Sequence, residues 1–237
     1  MDIPLPTFDF RLIEIESEIF ALEDHLNFIE EHIKNKEAFE RRLSEKRIKK
    51  LAFNPDDPEW QEEQSNLDYI VEFLLPRSFR GPFLVSLYTV YESAVIEIAA
   101  LIQKQKGIVI SINDLRGDFL DRAKKYFKDV IDYQLYTNKL TWDRITILSV
   151  LRNAIAHANG RIEMLNKGTK QKITNWEKQK VGISSMSGFV VLEEGFLRDT
   201  LGLVSESLND LVERYKQWDD HQRAQAGKHM PLTLIQK

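Results

Sequence analysis

Apolar residues first fall into a strict rhythm at Ile15, Ile19, Leu22, Leu26, Ile29 and Ile33, spaced alternately by four and three residues. That is an a/d seam of nearly three heptads, and it predicts a long helix over 12–50 that lies along another helix, in its own protein or a dimer partner. Beyond Ile33 the seam weakens, and RRLSEKRIKK (41–50) reads as basic surface. The break comes in NPDDPEW, because Pro55 and Pro58 lack the amide hydrogen and push their predecessors out of helical conformation. A second helix then carries Trp60, Leu67, Ile70, Val71 and Leu74 on its apolar side, so 1–75 reads as an N-terminal helical hairpin or arm. PRSFRGP (76–82) is expected to interrupt the chain again and to mark the internal boundary.

The segment 83–103 is apolar nearly all round, which places it at the centre of a bundle. Glu92 is out of keeping there unless a cation or several donors meet it, whereas Glu97 is expected to face solvent. Another helix is predicted over 112–131 through Leu115, Phe119, Tyr126, Phe127 and Val130. The next runs from Thr141, its expected N-cap, to Asn159-Gly160, a left-handed stop. Lys and Gly make 166–182 an expected exposed loop, and GISSMSGFVVLEE (182–194) a small β-hairpin around Ser-Gly. A final helix spans about 194–218 through Phe196, Leu197, Leu201, Val204, Leu208, Leu211 and Tyr215, before a polar tail (219–237) whose terminal LTLI has the character to dock. The fold class is therefore all-α: a helical bundle over 76–218, the arm before it, and one small hairpin before the last helix.

Composition narrows the chemistry. Only 10 Gly and 7 Pro in 237 residues suit long helices. With 33 Lys and Arg against 37 Asp and Glu, the net charge of -4 requires any polyanion site to be a local patch. The absence of Cys removes disulfides, thiolate zinc sites and cysteine nucleophiles and suits a reducing compartment. MDIPLPTFDF lacks the basic start and apolar run of a signal peptide, and no apolar segment approaches the ~20 residues that span a bilayer. A soluble cytoplasmic protein without a membrane partner is expected. Phosphate-loop, H-E-x-x-H and G-x-S-x-G motifs are missing, and no metal or cofactor is expected.

The chemistry that remains is concentrated in LRNAIAHANGRI (151–162). On a wheel of about 100° per residue, Ile145, Leu148, Leu151 and Ile155 define the buried side, and Arg152 falls between Ile145 and Leu148. An always-charged guanidinium on such a face needs an anion, a group of carbonyls or a cleft that admits one. Asn153 and His157 lie one turn apart on an adjoining face, about 140° round from Arg152 to His157. Residues like these also serve a plain structural end, since a helix C-terminus favours cations and Arg can bind its last carbonyls.

Arg152-Asn153, three residues, then His157, on a late amphipathic helix that stops at Asn-Gly, resembles the motif of the HEPN superfamily: Arg, a polar residue, three or four others, His. Glu92 in the apolar helix fits the same pattern, and the resemblance covers about 76–218. Many HEPN proteins are metal-independent endoribonucleases in which two protomers line one cleft. The resemblance therefore implies RNA as substrate, a homodimer, and Arg152, Asn153 and His157 as catalytic residues. An imidazole titrates near neutrality and can move protons, and a guanidinium can hold phosphate oxygens and developing charge. Asn153 would orient the imidazole or contact the phosphate. Arg161, Lys167, Lys170 and Lys172, with Lys178 and Lys180, face only Glu163 and Glu177 in 161–180 and are the candidate RNA-binding cations. By analogy a role in bacterial defence or as a toxin follows, with an antitoxin or regulatory protein as a further partner. The alternative is a non-catalytic HEPN module that binds a partner or nucleotide.

Overall fold

The computed structural model describes residues 10–228, so the N-terminal MDIPLPTFD and the terminal LTLI lie outside the described residues. Helix α1 (Phe10–Leu51) buries the whole predicted seam, from Ile15 to Ile33, and adds Leu12 to it. Phe10, Phe20, Phe28 and Phe39 are exposed on the same helix, on the side opposite the seam of an ideal wheel. The chain turns at 52–57, where Ala52 takes a positive φ of 53° and the Asn54 amide donates to Asp57 Oδ2. Helix α2 (Pro58–Asp68) starts with proline at its first turn and folds back on α1, where Arg47 meets Glu63 at 3.4 Å. The N-terminal hairpin is thus present.

The expected interruption at 76–82 is not. A π-helical turn, Tyr69–Leu74, carries α2 directly into α3 (Leu75–Lys106), so one helical path runs from 58 to 106. Pro76 follows the π-helical turn directly and Pro82 lies inside α3, so both prolines remove an amide donor from within the path. Burial on both sides, with Phe73, Leu75 and Pro76 before Pro82 and Phe83 and Leu84 after it, outweighs proline's local cost. By length and composition this path also holds a stretch apolar enough to cross a bilayer, contrary to the sequence expectation. Half of that stretch is buried inside the bundle, which is compatible with the core helix of a soluble protein.

Residues 112–131 do not form one helix. A 3-10 turn (Ile112–Asp114), closed by a Ser111–Asp114 capping box, precedes α4 (Phe119–Lys125) and a π-helical turn (Tyr126–Val130). Gly117, at a φ of 117°, separates them, and Asp118 caps α4 by accepting from the Asp121 amide. Helix α5 (Lys139–Ala158) is capped by Asn138, which accepts from the Leu140 amide; Thr141, the expected cap, is buried inside it. The expected loop at 166–182 is mostly helix α6 (Lys167–Lys178), started by the Asn166 side chain and anchored by buried Ile173. Strands β1 (Ile183–Met186) and β2 (Phe189–Leu192) pair antiparallel, Ile183 opposite Leu192. Ser187 and Gly188 both take positive φ, as a two-residue type I′ turn requires. Helix α7 (Glu194–Lys228) runs ten residues past its expected end, into the supposed tail.

One apolar cluster fills the bundle, with α3 at its centre and α1, α5, α7 and β2 packed on it. A single ion pair ties three of these elements. Arg80 of α3 donates from Nε and Nη2 to the two carboxylate oxygens of Glu30 in α1, at 2.8 and 2.7 Å, and from Nη1 to the Leu192 carbonyl of β2 at 3.0 Å. Glu30 is 1% exposed and Arg80 14%. The whole fork is used.

Candidate active site

Helix α5 turns Ile145, Leu148, Leu151, Ala154 and Ala158 into the core. Arg152 is half-buried, as the wheel implies, with its guanidinium carbon 5.4 Å from the centre of the Tyr88 ring on α3. Cation–ring contact of this kind holds the guanidinium against the helix pair. Ser149, one turn earlier, donates to the Tyr88 hydroxyl at 3.2 Å. Burial pushes that hydroxyl's pKa up, the Ser149 bond and Arg152 pull it back, and Glu92 raises it again. Glu92 is therefore a half-buried carboxylate near the same hydroxyl. Glu97, expected to face solvent, is also half-buried and engaged.

Only part of the Arg152 fork is used. Nη1 donates to Asn153 Oδ1 at 2.8 Å, while Nε is buried with no acceptor among the described residues. A buried charged donor without a partner is costly unless something arrives to accept from it.

Asn153 and His157 are exposed on the adjoining face and line one cleft of about 330 Å³. Its opposite wall is Met164 and Leu165, with Asn166 and Thr169 from the start of α6. The structure thus joins Asn153 and His157 in one cleft and joins Arg152 to Asn153 by a hydrogen bond. Arg152 itself is not part of the wall. Among the described residues nothing hydrogen-bonds the His157 imidazole.

Past His157 the helix stops as expected, with Asn159 at a φ of 50° and Gly160 at 72°. The Gly160 amide returns to the Ala154 carbonyl at 3.0 Å, and the Gly160 carbonyl accepts from the Val190 amide at 2.9 Å. The exit from the motif helix is thereby fixed against the hairpin.

Of the four candidate RNA-binding cations, two converge. Arg161 lies 3.9 Å from Glu163 and over the Phe189 ring, and Lys170 donates to the Glu163 carbonyl at 2.9 Å. Lys167 and Lys172 are exposed on α6 without such a contact. Arg77 was not singled out in the sequence. It donates from Nη2 to the Asn159 carbonyl at 3.1 Å and lies 4.2 Å from the Phe189 ring centre. Tyr88 was missed as well: it sits 61 residues from its partner Ser149, and no local pattern marks it. Among the described residues no group of three His, Asp or Glu gathers as metal ligands do. No protein-family model, curated protein or solved structure matches this chain.

Proposed function

We propose that the chain is a metal-independent endoribonuclease of the HEPN type, acting as a homodimer in the cytoplasm. One observation carries the reading: a half-buried arginine with an unanswered Nε, hydrogen-bonded to an asparagine that shares an open cleft with a histidine. RNA supplies its own nucleophile. The 2′-hydroxyl loses a proton to one His157 imidazole and attacks the adjacent phosphorus. The bond to the 5′-oxygen breaks, that oxygen takes a proton from a second imidazole, and a 2′,3′-cyclic phosphate is left. Arg152 holds the phosphate oxygens as charge builds on them. Arg152 and His157 lie on different faces of one helix, so a second protomer's α5 across the cleft lets both types of group reach one phosphate. Cellular RNA is the substrate, and a role in defence or as a toxin, held in check by a partner protein, follows by analogy with the family.

A second reading has its own support. The His157 ring has no orienting hydrogen bond among the described residues, and a non-catalytic module that binds a protein or nucleotide needs none.

The test is cleavage of a mixed RNA pool in EDTA by the wild type, His157→Ala and Arg152→Ala, with solution mass measured alongside. The ribonuclease reading expects EDTA-resistant cleavage, lost in both variants, and a two-chain mass. Cleavage that survives both substitutions removes this site from the chemistry, and no cleavage by the wild type favours the binding module.

A further inference from the structure

Beside the motif helix lies a second cationic feature that the proposed chemistry does not use. Arg77 of α3 and Arg161, just past α5, both lie over Phe189 of β2, with guanidinium carbons 4.2 and 5.4 Å from its ring centre. Phe189 is half-exposed and rests on buried Phe73, ring centres 5.6 Å apart. Each guanidinium gains from the ring, and together they bring two positive charges to one aromatic side chain, where a bound anion would offset their repulsion.

The protein supplies little anion of its own. Among the described residues no carboxylate pairs with Arg77, and Arg161 has only Glu163, at 3.9 Å with both side chains more than half exposed. Arg77 spends one donor on the Asn159 carbonyl and borders a hollow of about 220 Å³ with Ser78, Asn159 and Gly160. Asn159 follows His157 by two residues, so the hollow and the His157 cleft lie on either side of the same helix end.

We infer that Arg77 and Arg161, held on Phe189, form a second phosphate site that grips single-stranded RNA as it leaves the His157 cleft. The inference rests on the ribonuclease reading for its ligand. A planar fork suits a phosphodiester, and a flexible strand can bend round the helix end where a duplex cannot.

The experiment uses full-length His157→Ala protein, which holds RNA uncut, a fluorescein-labelled 12-nucleotide RNA, and anisotropy across a salt series. Arg77→Gln and Arg161→Gln, each added to that background, are expected to lower the slope of log affinity against log salt by about 0.7. Relative to 1 M salt, that slope change is about fivefold in affinity at 0.1 M. Phe189→Leu is expected to weaken binding without altering protein charge. Arg161 makes no buried bond, so its variant reads the site even where loss of the Arg77 bond perturbs folding. If the His157→Ala protein binds RNA and both Gln variants match it in affinity and slope, the second site is wrong and the ribonuclease reading stands. If it binds no RNA at low salt, the ribonuclease reading fails and this site fails with it.

Discussion

Arg80 and Arg152 are both half-buried arginines on helices of the bundle, and the protein treats them in opposite ways. Arg80 spends every nitrogen of its fork on Glu30 and the Leu192 carbonyl. Arg152 spends one on Asn153, leans on the Tyr88 ring, and leaves Nε buried and unanswered. A satisfied buried cation specifies which elements meet. An unsatisfied one beside an open cleft is what the proposed phosphate-binding role requires. Donor accounting alone does not single out Arg152, since Arg122 Nε and Arg144 Nη1 are also buried without a partner among the described residues; what sets Arg152 apart is its bond to Asn153, which lines the His157 cleft.

The strongest way to test that contrast is to remove each arginine's partner or the arginine itself. Glu30→Ala leaves the buried Arg80 charge without its anion, with only the Leu192 carbonyl as acceptor, and should cost about 3–5 kcal/mol of unfolding free energy in urea titration. A loss below about 1 kcal/mol would mean the pair does not hold α1 to α3. Arg152→Ala should instead lower RNA cleavage by about 10²–10³ while shifting the unfolding midpoint far less than Glu30→Ala does. Equal destabilisation by the two would make Arg152 a structural tie after all, and Arg152→Lys should not restore activity, because an ammonium lacks the fork.

The Tyr88 platform gives a smaller effect. Burial raises the phenols of Tyr88 and Tyr91 above the ordinary value of 10.0. A group raised in the folded state lends its stability fully below its unfolded pKa and loses it as pH climbs through the folded one. Stability should therefore fall above pH 10, by no more than about 1.4 kcal/mol per pH unit for each phenol, and Tyr91→Phe should flatten the decline seen in urea midpoints. Smallest is the helix stop below the cleft. Asn159→Ala forces alanine into left-handed backbone and should cost about 1 kcal/mol in thermal unfolding, while Asn159→Gly should cost nothing.

Where a signal is local and periodic, the sequence discloses it. The Ile15 to Ile33 seam, the Ser187-Gly188 turn and the Asn159-Gly160 stop each need only a few neighbouring residues, and each is found where expected. Helix α6 escapes because its inward side is little more than Ile173 with Trp176, too sparse to register a period among lysines. The continuity of α2 and α3 escapes because two prolines argue locally against it, and the packing that overrides them comes from distant segments. At the candidate site, the sequence draws attention to Arg152, Asn153 and His157 because they share one helix. It gives no sign of Tyr88 beneath Arg152 or of Arg77 and Phe189, 112 residues apart in the chain and in contact in space.

The unbroken path from 58 to 106 also determines where the polypeptide tolerates being opened. A cut at residue 75 falls in the middle of one helical path and breaks it between buried Phe73 and the buried positions of α3. The turn at 52–57 is mostly exposed and is closed only by local turn bonds, such as the Asp57 amide to the Asn54 carbonyl, so a protease should nick there first and leave α1 held to the rest of the chain by its buried seam and the Glu30 to Arg80 link. Any attempt to trim, fuse or split this protein belongs at that turn.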